Sequence, residues 1–377
     1  MQHKLLTRRN LISFAGIGAA SLALPSKAFA STAYAGEIEF TKSVACAIAD
    51  NIRLTFRPDT DCRADSAIPL YDPSGAQCGY VVLFTSDGEC AGYVVLDKRV
   101  DGLASDFSIG KVSHLPFYPR TFSSKSAMKS LGSPIGVITY GDYIYGCMLP
   151  WQSEILLNTG ESTDIPQGLT ENDTILDPFT VSEYYATTIS DLQEYVSWPD
   201  FYGYDDFYIR LATNRYACFV TACYALADYW YGYSWDSTDI DAEKYNSIWS
   251  YTGTSQIGTI GDAVLGGTEE GAGAAGFASY IRDRHGRNLQ YTAKERFYSG
   301  SQFTDAIDHG RGCLLNINAN PGHTVTVEGY CSSIDPQGVK RFYIITYDGW
   351  DDVARFLSFI SYSGDVTVND WTITTFW

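Results

Sequence analysis

The sequence predicts an α+β fold whose second half places helices first and antiparallel strands after. Three observations carry this. Residues 79–84, GYVVLF, and 91–96, AGYVVL, are two strand-like runs separated by the turn-forming Thr85-Ser86-Asp87-Gly88. Residues 218–231, CFVTACYALADYWY, set Phe219, Ala222, Cys223, Leu226, Tyr229 and Trp230 at near-helical spacing, and Gly232 follows as a stop. Beyond Gly312 the pattern turns to short alternating runs at 313–317, 324–328, 342–346 and 356–360. The 28 tyrosines and 34 glycines lean the same way, towards strands and turns rather than a helical bundle.

Residues 1–30 read as a signal peptide. Lys4, Arg8 and Arg9 give a positive start, and residues 11–24 form an apolar core too short to span a bilayer comfortably. Ala28-Phe29-Ala30 then supplies a small-x-small cleavage site. Thr7-Arg8-Arg9-Asn10-Leu11-Ile12 resembles a twin-arginine export signal, with an ordinary secretory signal as the alternative. An exported protein is expected, secreted or in the cell-envelope space, with no membrane insertion after cleavage. Four of the 26 Lys/Arg fall in this segment, leaving 22 against 44 Asp/Glu and a net charge of −22. That balance argues against nucleic acid or an anionic membrane surface as a partner.

The elements follow in order. Residues 38–56 read as an amphipathic helix with Val44, Ala47, Ile48 and Ile52 on one face. With the hairpin of 79–96 they make residues 31–150 a small α+β domain without a candidate active site. Residues 151–180 are rich in Ser, Thr, Asn, Asp, Gly and Pro and read as a linker or long exposed loop. A helix is expected over 181–196, the helix from Cys218, a glycine-rich loop then a short helix at 277–284, and another at 303–308 before Gly310. Residues 181–377 form the second domain.

Nine cysteines are an odd number, so at least one is unpaired or bonded to another chain. Cys78 and Cys90 flank the hairpin and could bridge it. No Cys-x-x-Cys pair and no zinc-type histidine spacing occurs, and no cofactor or metal is implied. A thiol attacks as its thiolate, which a helix N-terminus and a nearby imidazole both favour. Cys218 opens a helix and His323 opens a strand; Asp348, before Gly349-Trp350, is placed to orient the ring, with Trp350 shielding it. His114, His285 and His309 lie in contexts that read as surface or packing. No Gly-x-Ser-x-Gly elbow, His-Glu-x-x-His or phosphate loop competes.

The order Cys, His, Asp on helices followed by strands resembles the papain-like superfamily of cysteine peptidases, closest to streptopain-like and double-glycine leader peptidase-like bacterial families. CFVTACYALADYW, FTDAIDHGRGCLLNINANPGHTVTVEGY and RFYIITYDGW carry the match, and PLYDPSGAQCGYVVLF with GECAGYVVL resembles streptopain-type propeptides. The resemblance implies a helix carrying Cys218 packed on an antiparallel sheet carrying His323 and Asp348, preceded by a propeptide-like or accessory domain. It implies peptide-bond hydrolysis through a thioester, a peptide or protein substrate, and a monomer. Where the family carries an oxyanion-binding Gln, this chain has Ala212 and Thr213, and Asn214 is the candidate donor in its place. An acyl transferase or peptidoglycan-modifying enzyme with the same triad, or a non-catalytic papain-fold binding protein, are the alternatives.

Overall fold

The computed structural model describes residues 37–377 except 101, 111, 113–114, 119–133, 141–143, 151–152, 159–161, 167–168, 170–175, 181–182, 185–190, 199–200, 233–235, 298, 318–321, 336–337 and 359–370. The signal segment and His114 therefore lie outside the described residues.

After the short β1 (Glu37–Ile38), α1 (Lys42–Phe56) is started by Thr41, whose hydroxyl accepts from the Val44 N–H. Its buried stripe, Ala45, Ile48, Ala49, Ile52 and Phe56, recurs at three- and four-residue spacing and lies on a sheet. That sheet begins with the antiparallel meander β2 (Arg63–Tyr71), β3 (Gln77–Ser86), β4 (Glu89–Asp97) and β5 (Ala104–Ile109). The expected hairpin is β3–β4, closed by Asp87 and Gly88, both at positive φ (52° and 76°), the geometry that suits the twist of paired strands. β6 (Gly136–Thr139), parallel to β2, then β7 (Tyr145–Met148), β8 (Glu154–Leu157) and β9 (Ser162–Asp164) extend the far edge. β8 and β9 fall in the polar stretch expected as linker, where Ile155 and Leu157 are buried against the sheet.

β10 (Phe179–Thr180) pairs β1, and β11 (Asp191–Ser197) pairs the long strand of the second half. The helix expected over 181–196 is thus corrected at its end. Glu183 and Tyr184 are helical, but residues 191–197 are extended because pairing with that long strand satisfies their backbone. There follow α2 (Asp206–Thr213), β12 (Arg215–Tyr216), α3 (Cys218–Tyr231), α4 (Ala242–Tyr251), β13 (Ser255–Ile260), β14 (Ala263–Gly267), α5 (Glu270–His285), β15 (Tyr291–Arg296) and α6 (Ser301–Asp308). The strands β16 (Gly312–Ile317), β17 (His323–Ile334), β18 (Lys340–Tyr347), β19 (Arg355–Ser358) and β20 (Trp371–Phe376) complete the chain.

The glycine-rich segment expected as a loop is the first half of α5. A Cβ on Gly273 would fall 2.7 Å from the Phe219 ring, and one on Gly276 would fall 2.0 Å from the Tyr251 carbonyl oxygen. These glycines give up helix propensity so that α3 and α4 can approach.

The fold is mixed α+β, with six helices among the described residues and a large sheet that is mostly antiparallel. Its order is β15-β20-β16-β17-β18-β19-β5-β4-β3-β2-β6-β7-β8-β9, with β11 also on β17. One sheet therefore runs through both halves of the chain, joined where β19 pairs β5 (Phe356 opposite Phe107, Leu357 opposite Asp106). Two cores flank it. The larger gathers α3, α4, α5 and α6 against β16, β17 and β20. The other packs α1 on β3–β5 and also takes in Cys331, Tyr343, Ile345 and Phe356 from β17–β19.

All nine cysteines are free, so the suggested Cys78–Cys90 bridge is absent. The register explains why: Cys90 lies opposite Thr85 at the turn end of the hairpin, whereas Cys78 precedes Gly79, opposite Asp97 at the other end.

Candidate active site

α3 is buried on nearly every side from Phe219 to Ala227, as its apolar sequence requires, and only its ends reach solvent. Cys218 is its first residue and is half-buried. Ala217 precedes it in extended conformation (φ −148°, ψ 128°), and no side chain caps the helix. The first intrahelical bond runs from the Thr221 N–H to the Ala217 carbonyl, so the N–H groups of Cys218, Phe219 and Val220 are outside the helix ladder. Tyr245 of α4 clamps this entry. Its hydroxyl accepts from the Ala217 N–H at 3.0 Å and lies 3.2 Å from the Thr221 hydroxyl, and burial keeps the phenol protonated. The result is an open helix N-terminus fixed from behind, with a thiol at its front.

Burial pushes Cys46, Cys78, Cys90, Cys147, Cys223, Cys313 and Cys331 up from the ordinary thiol range, Cys147 to about 12, and so keeps them protonated.

His323 opens β17, opposite Ile317 of β16, and its ring stacks on Trp350 with centroids 4.4 Å apart and planes 28° apart. Trp350 is buried and belongs to the turn that follows β18. Asp348 shapes this turn: its Oδ1 accepts from the Trp350 N–H at 2.8 Å and the Asp351 N–H at 3.3 Å. Gly349 between them has φ 72°, a left-handed conformation that glycine adopts without strain. A Cβ there would also lie 3.0 Å from the Thr221 methyl and 3.2 Å from the Tyr216 hydroxyl. The turn thus rests on α3 one helical turn from Cys218. Cys218, Thr221, Thr324, Thr326, Tyr347 and Gly349 line one narrow cleft, which Gly203 and Tyr204 also border.

The structure thus brings Cys218 to the cleft that the neighbours of His323 and Asp348 line. Among the described residues, however, the partners of Asp348 are the two turn N–H groups and Arg355 Nη1, so its link to His323 runs through Trp350. Asn214 is elsewhere. It is exposed, does not line the cleft, and ends α2 in left-handed conformation (φ 55°, ψ 27°), which suits Asn among non-glycine residues. His309 is on the surface, and its Nδ1 lies 3.1 Å from Asp305. Sequence reasoning missed Tyr245 and Arg355; a lone arginine in the apolar strand RFLS was the available signal for the second.

A separate cavity of about 540 Å³ lies at the opposite end of α3, among Asp228, Tyr231, Asp241, Lys244, Tyr280 and His285. Its groups are mostly spent on one another. Lys244 Nζ lies 2.5 Å from Asp228 Oδ1, Asp241 caps α4 through the Lys244 N–H, and His285 stacks on Tyr231 at 4.1 Å. Burial, then Lys244 and Arg284, hold the His285 pKa below the usual imidazole value. No thiol lines this cavity, so the cleft at Cys218 is the better candidate for chemistry. Among the described residues no group of three or more His, Cys, Asp or Glu is placed to hold a metal ion. Comparison with protein-family models, curated proteins and solved structures finds no match to this chain.

Proposed function

We propose that the chain is an exported cysteine peptidase with Cys218 as its nucleophile and His323 as its acid–base. The observation that supports this most is the placement of Cys218 at an uncapped helix N-terminus, in the same cleft as Thr324 and Gly349. In this scheme the Cys218 sulfur attacks the scissile carbonyl as its proton passes to His323. The carbonyl oxygen becomes an oxyanion held by free N–H groups of the α3 N-terminus. His323 then gives the proton to the leaving amine, the C–N bond breaks, and a thioester remains. Water, deprotonated by His323, releases the acid and restores the thiol. Trp350 fixes the plane of the imidazole, and Asp348 fixes the turn that carries Trp350.

The test is alkylation by iodoacetamide or an epoxysuccinyl probe across pH 4–9, mapped by mass spectrometry, alongside turnover of a mixed peptide library. Selective labelling of Cys218 well below pH 8.5, lost in His323→Ala, is expected. Cys218→Ala should remove turnover while leaving the fold intact. Turnover surviving Cys218→Ala overturns the assignment. Labelling of Cys218 no faster than a model thiol leaves a non-catalytic binding protein as the remaining reading.

A further inference from the structure

Arg355 is among the largest fully buried side chains of the molecule, with 2% of its surface exposed, and it lies between two buried carboxylates from opposite halves of the chain. Its Nη2 donates to Asp106 Oδ2 of β5 at 2.5 Å, and its Nη1 donates to Asp348 Oδ2. Asp106 is anchored in turn by the hydroxyls of Tyr93 on β4 and Tyr145 on β7, at 2.9 and 3.1 Å. The guanidinium also lies over the Tyr93 and Trp350 rings, 5.5 and 5.8 Å from their centroids. β19 carries Arg355 and pairs with β5, so sheet register brings its guanidinium to Asp106. A planar fork with five donors can hold two carboxylates in fixed directions, which an ammonium cannot.

We infer that Arg355, anchored on Asp106, is a positioning residue of the Cys218 site, and that the N-terminal strands β4, β5 and β7 are part of the machinery. The contact path is continuous. Tyr93 and Tyr145 hold Asp106, Asp106 holds Arg355, Arg355 holds Asp348, Asp348 shapes the turn, and Trp350 in that turn packs on His323. The carboxylate expected to orient the imidazole is directed at Arg355, so orientation of the ring depends on the arginine. The inference rests on the cysteine-peptidase reading for its catalytic meaning, although the path exists without it.

The experiment compares the full-length wild type with Asp106→Asn and Asp335→Asn. Asp335 pairs with Arg341 at 2.8 Å, equally buried, at the other end of the β17–β18 hairpin, so its variant controls for a general loss of stability. The readouts are the His323 ring titration by NMR and the iodoacetamide rate at Cys218. Asp106→Asn removes one negative charge from the group and loosens the turn, so the imidazolium loses support. We expect the His323 pKa to fall by at least about half a unit and the Cys218 rate at neutral pH to fall at least about threefold, with neither changed in Asp335→Asn. No change in Asp106→Asn, or equal changes in both variants, overturns the inference. Should Asp106→Asn fail to fold, Arg355→Lys retains the charge without the fork and is held to the same outcomes. A His323 titration that responds while wild-type Cys218 labels like a free thiol removes the peptidase reading and keeps the positioning. A fast wild-type Cys218 with an unresponsive His323 does the reverse.

Discussion

Glu328 lies where the pairing of β17 and β18 shifts register between Val327 and Gly329, with 6% of its surface exposed, and burial pushes its carboxyl up to about 8. The phenols of Tyr195 and Tyr347 face it, and its charge adds to the burial that raises both. The folded chain therefore keeps a proton on Glu328 that the unfolded chain releases above its ordinary pKa of 4.5. The stability that this protonation supports is complete below that value and is lost as pH rises through about 8. Glu328→Gln should flatten the decline between pH 5 and 8.5, by at most roughly 4–5 kcal/mol, and thermal melts of both proteins over that range test it. An unchanged slope would move the titration to another group. At this scale the boundary positions of Cys218, His323 and Asp348 were legible in the sequence, because local pattern shows where elements begin and end. The partner of Arg355 was not legible, because it lies 249 residues upstream. Asn214 was legible as an unusual residue, but αL geometry at the end of α2 accounts for it.

Elements show where local propensity yields to packing. The segment Glu270–His285 contains Gly271, Gly273 and Gly276, and each glycine costs a helix about 1 kcal/mol relative to alanine, so a loop is what propensity alone favours. The helix forms because its neighbours use the missing side chains: the Phe219 ring fills the space at Gly273 and the α4 C-terminus that at Gly276. The two kinds of glycine separate by mutation. Gly276→Ala drives a methyl into the Tyr251 backbone, which no rotamer change relieves, and should destabilise the protein by about 1–3 kcal/mol. Gly271→Ala meets only the flexible side chains of Glu269, at 3.4 Å, and Lys294, at 3.8 Å, and should be neutral or stabilising by up to about 1 kcal/mol. Urea denaturation of the two variants checks the ordering; a Gly276→Ala as stable as Gly271→Ala would mean that α4 and α5 are free to slide apart. β17 illustrates the opposite case, where period-two alternation announced a strand from Thr324 onward and the strand is present. Its continuation to Ile334 depends on pairing with β11 and β18, which the local pattern does not encode.

For the whole molecule, the question is whether the N-terminal half is a removable cover or a structural part. The sequence placed a polar, Pro- and Gly-containing stretch between two patterned regions, and composition of that kind reads as a boundary. Strand pairing between distant segments leaves no such mark, so the joining of β5 to β19 was invisible. That junction is reinforced by the Ser108 hydroxyl, which donates to the Ala354 carbonyl at 2.9 Å. The core beneath it mixes Phe56 and Phe107 with Tyr343 and Phe356, the two facing phenylalanines of β5 and β19 stacking at 4.8 Å. Separating the halves would expose those aromatics, open a strand edge on each side and leave Arg355 opposite Asp348 without Asp106. Breaking a buried charge group of this kind typically costs about 3–5 kcal/mol before any hydrophobic loss is counted. A protease site introduced at 170–175 and cut in the purified protein should therefore leave the two fragments together on size exclusion, with Cys218 labelling as in the intact chain. Residues 181–377 expressed alone should be insoluble or bind hydrophobic dyes. A soluble, monomeric C-terminal fragment with faster Cys218 labelling would instead establish the N-terminal half as a detachable inhibitor. It would also show that the shared sheet rearranges once the chain is cut.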